Sequence, residues 1–152
     1  MLKQNVIKNF YALFLKGYFM VTYKDTHDID KSALERLFLS VGWSSGHYPE
    51  KLAAAMKNYG TVFSAWKCNE LIGLVCAMDD GVMTAYVHYM LVSPDYQGQG
   101  VGKELMKMIK ERYKDYLRIV LVSYDREKGF YESCGFKASE DSVPMFITSL
   151  WT

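Results

Sequence analysis

The segment from Met90 to Lys103 has residue types and spacing that suit the binding of a phosphate-bearing ligand. A strand-like apolar run is followed by Gly98, Gly100 and Gly102, and then by a helix-like pattern. Glycine lets the backbone adopt positive φ and approach a ligand closely. The first N–H groups of a helix lack intrahelical partners and lie at the positive end of its dipole. Such a turn can bind a pyrophosphate, although tight turns before helices also contain glycine for purely structural reasons.

Two established nucleotide-binding motifs do not match this segment. The phosphate loop GxxxxGK[ST] needs a hydroxyl residue after its lysine, whereas Lys103 is followed by Glu104. The dinucleotide fingerprint GxGxxG, begun at Gly98, would need its third glycine where Lys103 stands. These mismatches disfavour a nucleotide-binding module of either kind.

Two motifs in order resemble those of the GCN5-related N-acetyltransferase (GNAT) family. Residues 97–102 (QGQGVG) resemble the family's Q/R-x-x-G-x-G/A phosphate-binding motif, and residues 92–96 (VSPDY) resemble its V-x-P-x-Y/F lead-in. Residues 130–136 (FYESCGF) are similar to its F-Y-E-x-x-G-F segment, about thirty residues downstream and beyond a strand-like run. The matching pattern of elements extends from Phe19 to the C-terminus and leaves the preceding residues outside the resemblance.

The resemblance implies that the chain uses acetyl-CoA (coenzyme A) as acyl donor and requires no metal. The cofactor-binding residues implied are Met90, Leu91, Val92, Gln97, Gly98, Gln99, Gly100, Val101, Gly102 and Lys103. The family often places an asparagine that contacts the pantetheine arm a few residues before the F-Y pair. Here Tyr124, Asp125 and Arg126 occupy that stretch, so the contacts to the middle of the cofactor differ from the usual ones.

Tyr131 is the implied general acid. Family members use a tyrosine at this place to protonate the departing thiolate, whose parent thiol has a pKa near 8.5. The alternative for Tyr131 is a core aromatic residue on a short helix. By the same resemblance, backbone N–H groups around Met90 to Val92 pair with the pantetheine arm and polarise the thioester carbonyl.

His88 is a candidate for the general base, because an alkylamine with a pKa of about 10.4 must lose a proton before it attacks. Strand alternation predicts that His88 shares a face with Met90 and Val92. Vertebrate arylalkylamine N-acetyltransferases resemble this pattern, with a histidine at the matching place and a second one where this chain has Tyr86. The alternatives are a structural histidine, a water relay, or a carboxylate of Asp79 or Asp80.

The acceptor pocket is expected between the loop at residues 42–48 and the strand end near residues 86–89. Its predicted aromatic wall consists of Trp43, Tyr48, Tyr86 and Tyr89. Such a wall suits an aromatic or aliphatic amine. Aromatic residues make up 15% of the chain, so some of these rings are expected to belong to the core instead.

Hydrophobic periodicity predicts alternating strands and helices. The predicted strands are 19–23, 62–66, 71–78, 84–92 and 117–123, with closing strands near 136 and at 145–150. The predicted helices begin after a cap at Asp30 or Ser32, at Pro49, at Val101 and at Glu127. The fold class is therefore α/β of the α+β type, one domain with a mixed, mostly antiparallel sheet, about four flanking helices and splayed central strands.

The first residues are predicted to form a helical extension at 1–18, ahead of an acyltransferase domain at 19–152. The apolar run at residues 10–15 is too short for a membrane span of about 20 residues, and Lys16 ends it. Helical spacing of the apolar residues favours an amphipathic helix on the domain or on a partner.

Composition excludes several classes of protein. The net charge is +1 and the basic residues are dispersed, so neither nucleic acid nor a membrane surface is an expected partner. Three cysteines without a CxxC pair and three scattered histidines give no metal-ligand spacing, and they predict a reducing, cytoplasmic environment. Many family members form dimers, and the sequence permits a homodimer without requiring one.

The sequence thus predicts transfer of an acetyl group from acetyl-CoA to a primary amine, by direct attack through a tetrahedral intermediate. The predicted acceptor is a small molecule, and an arylalkylamine is the specific hypothesis. The alternatives are acetylation of proteins or peptides, or a non-catalytic acyl-CoA-binding sensor.

Overall fold

The computed structural model describes residues 20–150, which form one five-stranded sheet with helices on both faces. The strands are β1 Thr22–Asp25, β2 Thr61–Lys67, β3 Glu70–Asp79, β4 Thr84–Val92 and β5 Arg118–Leu121. They lie in the order β1-β2-β3-β4-β5, antiparallel except for the parallel pair of β4 and β5. Short turns suffice for the antiparallel neighbours, whereas the parallel pair needs a helical crossover.

Four α-helices surround the sheet: α1 Lys31–Ser40, α2 Pro49–Asn58, α3 Val101–Arg112 and α4 Lys128–Ser133. Asp30 caps α1 through hydrogen bonds from the backbone N–H groups of Ser32 and Ala33 to its carboxylate, at 2.9 and 3.3 Å. Pro49 opens α2, and Gly135 follows α4 with a φ of 94°. Short 3-10 turns lie at Ser44–His47, Pro94–Tyr96 and Asp125–Glu127. The predicted helix starts are thereby confirmed to within one residue.

The sheet has a hydrophobic core on each face, and β3 contributes side chains to both cores. Leu74 and Cys76 pack with α1 and α2, whereas Val75 and Ala77 pack with α3. All four side chains are fully buried. This alternation makes β3 the central strand and fixes its register, because a slip of one residue would exchange the two faces.

β4 separates from β5 halfway along its length. The two strands pair only from Thr84 to Val87, opposite Arg118 to Leu121. Beyond this point β4 continues to Val92 and pairs with β3 alone. The predicted splay of the central strands is confirmed, and it leaves one backbone edge of the second half of β4 open to a ligand.

A β-bulge in β4 places His88 out of the ladder. Cys76 pairs with Tyr89 and Ala77 pairs with Val87, so His88 is the extra residue of β4. Bulges interrupt the strict alternation of side chains between the two faces. Because of the bulge, His88 does not share a face with Met90, and that prediction is wrong.

Other sequence predictions are also corrected. The first strand begins at Thr22 instead of Phe19, and the helix that begins at Val101 ends at Arg112. The predicted buried strand at 117–123 is a four-residue edge strand with a half-exposed pattern. No closing strand forms within residues 136–150, where Val143, Met145, Phe146 and Ile147 are exposed. β-branched and aromatic composition favours a strand only where a neighbouring strand and a packed face are present.

The predicted helical extension at residues 1–18 lies outside the described residues, and the domain boundary at residue 19 stays a prediction. Among residues 20–150, no helix is both long and apolar enough to cross a membrane.

Candidate active site

The loop between β4 and α3 has an open backbone surface. Gly98 and Gly100 adopt φ values of 73° and 86°, and a Cβ atom at either would meet no other atom within 4 Å. Their glycine identity therefore follows from backbone conformation, and space for a ligand lies above both. Gly100 is the N-cap of α3, and no side chain caps the first turn. The N–H groups that begin α3 remain free to bind an anion.

Two glutamine side chains hold this loop in place through hydrogen bonds to backbone carbonyl groups. Gln97 donates from Nε2 to the carbonyl of Val92 at 2.9 Å, and Gln99 donates from Nε2 to the carbonyl of Asp95, also at 2.9 Å. These bonds hold the loop against the end of β4 and the turn after it. Both predicted cofactor-binding glutamines thus shape the loop through their side chains.

Gly102 is needed for a different reason. A Cβ atom there would lie 3.1 Å from Met90 Cε and 3.2 Å from Phe130 Cζ, so α3 packs closely on β4 and α4. Val101 is buried behind it, and Lys103 is exposed. Lys103 lines a groove of about 580 Å³ between α3 and α4 together with Lys107 and Lys110. Glu111 also lines this groove, Lys107 pairs with Glu104 at 3.2 Å, and Lys110 donates to the Cys134 carbonyl at 2.9 Å, so the excess of positive charge beside the loop is small.

Tyr131 lies on α4 within the core that α3 covers. Its ring packs edge-on against Phe130 at 5.0 Å and Phe136 at 6.1 Å, in the same cluster as Met90 and Val92. Burial raises the pKa of Tyr131 to about 12. The hydroxyl therefore keeps its proton at neutral pH, as a general acid must.

His88 lies on the other face of the sheet, where α2 packs. Its Nδ1 is hydrogen-bonded to the Tyr59 hydroxyl at 2.5 Å, and its ring stacks on Tyr89 with centroids 4.1 Å apart. Tyr59 and Tyr89 belong to the α1–α2 core, whereas Met90 and Val92 belong to the α3 core. The bulge accounts for this position. Desolvation lowers the pKa of His88 below its ordinary value, which favours the neutral imidazole.

A family model matches the stretch of the chain that contains the glycine loop, the open half of β4 and Tyr131. That model, an acetyltransferase (GNAT) domain, covers residues 29–145. The chain belongs to the GNAT family.

Curated relatives of this GNAT chain have acetyltransferase names. "Uncharacterized N-acetyltransferase ycf52" of Gracilaria tenuistipitata var. liui is 33% identical over 127 residues, which cover 80% of this chain and 67% of that protein. "Histone acetyltransferase TAP1" of Glycine max is 33% identical over 129 residues, covering 76% and 55%. "Serotonin N-acetyltransferase 2, chloroplastic" of Oryza sativa subsp. japonica is 28% identical over 121 residues, covering 76% and 60%. The chain spans little more than half the length of the last two.

A solved GNAT structure has the same fold. The GNAT family acetyltransferase SP0256 of Streptococcus pneumoniae TIGR4 aligns with a TM-score of 0.74 at 27% identity, covering 86% of this chain and 98% of that chain. Family and fold together make this protein an acyl-CoA-dependent acetyltransferase.

The carboxylates of Asp79 and Asp80 serve the GNAT scaffold. Asp79 accepts hydrogen bonds from the hydroxyls of Tyr113 and Tyr116 at 2.9 and 3.1 Å. Asp80 accepts from the N–H groups of residues 82–84 at 2.6 to 3.0 Å, and these bonds lower its pKa. Both carboxylates therefore take part in structural hydrogen bonds, Asp79 with the tyrosines at the end of α3 and Asp80 within the turn between β3 and β4.

The four predicted acceptor residues occupy three different environments. Tyr48 and Tyr89 line a cavity of about 320 Å³ beside α2. Trp43 packs behind them, 5.9 Å from the Phe38 ring and 5.8 Å from the Tyr89 ring. The Tyr86 ring lies 6.0 Å from that of His88. The structure thus brings two of the four to one cavity and places a third beside the candidate base.

Three further residues of this region were missed by sequence reasoning. In the sequence, Tyr59 continues the apolar helical spacing of Leu52 and Met56, and only its contact with His88 reveals a polar role. Ser45 and Lys51 line the cavity with Tyr48. Serine in a loop and lysine on a helix are too common to give a signal in the sequence. Within residues 20–150, no cluster of three or more His, Cys, Asp or Glu side chains could hold a metal ion.

Proposed function

We propose that this protein acetylates the primary amine of a small molecule, with arylalkylamines as the specific class. The observation that carries the proposal is the cavity bounded by Tyr48 and Tyr89, because Tyr89 stacks directly on His88. Its volume of about 320 Å³ lies in the range of small-ligand pockets. The relative named as a serotonin N-acetyltransferase supports an arylalkylamine acceptor.

In this proposal acetyl-CoA binds along the open half of β4, with its pyrophosphate at the N-terminus of α3. The bound thioester supplies an activated acetyl carbon. The free N–H groups at the start of α3 and the exposed backbone at Gly98 and Gly100 would hold the pyrophosphate. Backbone N–H groups of β4 near Met90 would hold the pantetheine arm and polarise the carbonyl, since β4 lacks a strand partner on that side.

His88 would take the proton from the amine at Nε2. The Tyr59 hydroxyl stays protonated, because burial raises its pKa above its usual range, and it also interacts with the Cys76 thiol. If Tyr59 donates to the Cys76 sulfur, its oxygen accepts the Nδ1 proton of His88. Nε2 is then left as the acceptor, in the form that a base needs.

Tyr131 would return a proton to the departing thiolate. His88 lies on the α2 face of β4 and Tyr131 lies on the α3 face. The base and the acid would therefore act from opposite faces of the sheet, at the opening between β4 and β5. The amine would approach from the cavity side and the thiol would leave on the other. This arrangement keeps the two proton transfers apart.

The second candidate is acetylation of a protein or peptide, which the relative named as a histone acetyltransferase favours. The volume of the cavity, about 320 Å³, is that of a small-ligand site, and this favours the small amine. The test is kcat/KM for tyramine-type amines, polyamines, aminoglycosides and peptide N-termini. A preference of about tenfold or more for the arylalkylamines is expected. Comparable values across all classes, or a preference for peptides, would contradict the proposal.

We also propose a cytoplasmic location, with a homodimer permitted by the family pattern. Some relatives are named chloroplastic, and that name describes those proteins. Cell fractionation with an antibody to the native protein tests the location, and light scattering tests the dimer.

A further inference from the structure

We propose that the cavity beside Tyr89 binds an anionic group of the acceptor, such as a carboxylate, at a distance from its amino group. The inference rests on the proposed function and names the substrate class of that site more narrowly. Its basis is the pairing of one cation with one buried, unpartnered hydroxyl in the same small cavity.

Among residues 20–150, Lys51 is the only charged side chain that lines the cavity. Its ammonium lies 5.2 Å from the centre of the Tyr48 ring. The neighbouring carboxylate of Glu50 is held by Lys31 at 2.8 Å, so it is engaged away from Lys51. Lys51 also belongs to the first turn of α2, where the helix dipole adds positive potential.

Ser45 supplies an observation independent of the charge. The residue is 3% exposed, and its Oγ makes no hydrogen bond of normal geometry among residues 20–150. It lies near the Tyr89 hydroxyl and opposes the rise that burial causes in the Tyr89 pKa. Buried hydroxyls in native proteins nearly always have a partner, so a hydroxyl in a cavity wall that makes no hydrogen bond of normal geometry within residues 20–150, beyond its weak approach to Tyr89, indicates a group that a ligand completes.

The remaining walls decide between acceptor classes. Leu52 and Ala55 are apolar, and Tyr48 and Tyr89 are aromatic. A diamine or polyamine would require a carboxylate near its second ammonium group, and among residues 20–150 none lines the cavity. An aromatic or aliphatic amine with its amino group toward His88 and its acidic group toward Lys51 matches the two rings, the apolar side chains and Lys51, and the Ser149 hydroxyl adds a further polar group to the wall.

The test uses three amines that differ in one substituent: phenethylamine, 4-(2-aminoethyl)benzoate and 4-(2-aminoethyl)benzylamine. For the full-length protein, kcat/KM is expected to be about tenfold or more higher for the carboxylate than for the unsubstituted amine. Lys51→Met should remove this preference, and Lys51→Glu should shift it toward the aminomethyl compound. Lys57→Met is the matched control, since Lys57 is exposed on the last turn of α2 and does not line the cavity. A preference that Lys51→Met leaves intact would overturn the inference.

Ser45→Ala separates binding from folding. Removing a hydroxyl without a partner should leave the thermal midpoint unchanged or higher, because no hydrogen bond of the folded state is lost. The same change should raise KM for the carboxylate amine several-fold more than it raises KM for phenethylamine. A lower midpoint with unchanged KM values would show a structural serine and contradict the inference.

Failure of the inference and failure of the proposed function give different results. Equal acetylation of all three amines would overturn the anionic subsite and leave the amine acetyltransferase standing. Acetylation of peptides without acetylation of any of the three amines would overturn both.

Discussion

At the scale of single residues, desolvation shifts the pKa values of the two proposed proton carriers, Tyr131 and His88, in opposite directions. Burial raises the pKa of Tyr131 to about 12 and lowers the pKa of His88. Both groups are therefore neutral near pH 7, but Tyr131 holds a proton that it can give and His88 has a lone pair that can accept one. Environments that shift the pKa values of two titratable groups in opposite directions are typical of acid–base pairs.

The first prediction concerns Tyr131. Tyr131→Phe should lower kcat by roughly 10²-fold or more and leave the Kd for acetyl-CoA within about twofold, because it removes a proton donor and keeps the ring. Stopped-flow turnover and calorimetric binding measure the two quantities. Tyr23→Phe, a tyrosine change on β1 at the opposite edge of the sheet from β5, is the control. An unchanged kcat in Tyr131→Phe would remove this residue from the mechanism.

The second prediction is a pH dependence set by His88. Only the neutral imidazole accepts a proton, and its pKa is lowered, so kcat/KM should fall on the acid side at a pH below the ordinary value of about 6.5. His88→Gln should abolish this acidic limb and reduce kcat. Persistence of the same limb in His88→Gln would assign it to another group.

The third prediction uses Tyr59 to identify the tautomer of His88. If the Tyr59 oxygen accepts the Nδ1 proton, it stabilises the imidazolium, and Tyr59→Phe should move the acidic limb to lower pH. Loss of one orienting hydrogen bond should also reduce kcat by roughly tenfold. A shift of the limb to higher pH would show that Tyr59 donates to Nδ1, which places the proton on Nε2 and contradicts the proposed base.

At the scale of elements, the phosphate loop was predictable and the bulge was not. Strand, glycine turn and amphipathic helix all have local signals, and the structure places them as expected at Gly98 and Gly100. The caps at Asp30 and Pro49 were equally local. The bulge at His88 depends on the register between β3 and β4, which no single segment encodes. The predicted closing strands do not form, because the β propensity of a segment cannot supply a strand for it to pair with.

The fourth prediction tests whether the backbone of this loop binds the cofactor. Gly100→Ala forces an L-residue into a φ of 86° and should raise the KM for acetyl-CoA by about tenfold, because the loop relaxes away from its open shape. Gly81→Ala is a matched control. Gly81 has a φ of 79° and equally open surroundings, but it lies in the turn between β3 and β4. Both variants should lose similar thermal stability, and an equal rise in KM would contradict a specific role for Gly100.

At the scale of the whole molecule, the mixed sheet with helices on both faces follows from the hydrophobic pattern, and the family follows from two motifs. The acceptor cavity could not be predicted from the sequence. Ser45, Lys51, Tyr89 and Leu150 come from four separate parts of the chain, and only the folded sheet brings them together. Cofactor sites built on one continuous segment are readable from sequence, whereas acceptor sites assembled from many segments are not.

The central claim is that this GNAT chain catalyses amine acetylation, and its most direct test is thiol release from acetyl-CoA with and without an arylalkylamine. We expect release that depends on the amine, with N-acetyl product formed in equal amount, and slower release and product formation in the Tyr131→Phe and His88→Gln variants. Measurable binding of acetyl-CoA without release in the presence of any amine would contradict the claim and indicate an acyl-CoA sensor.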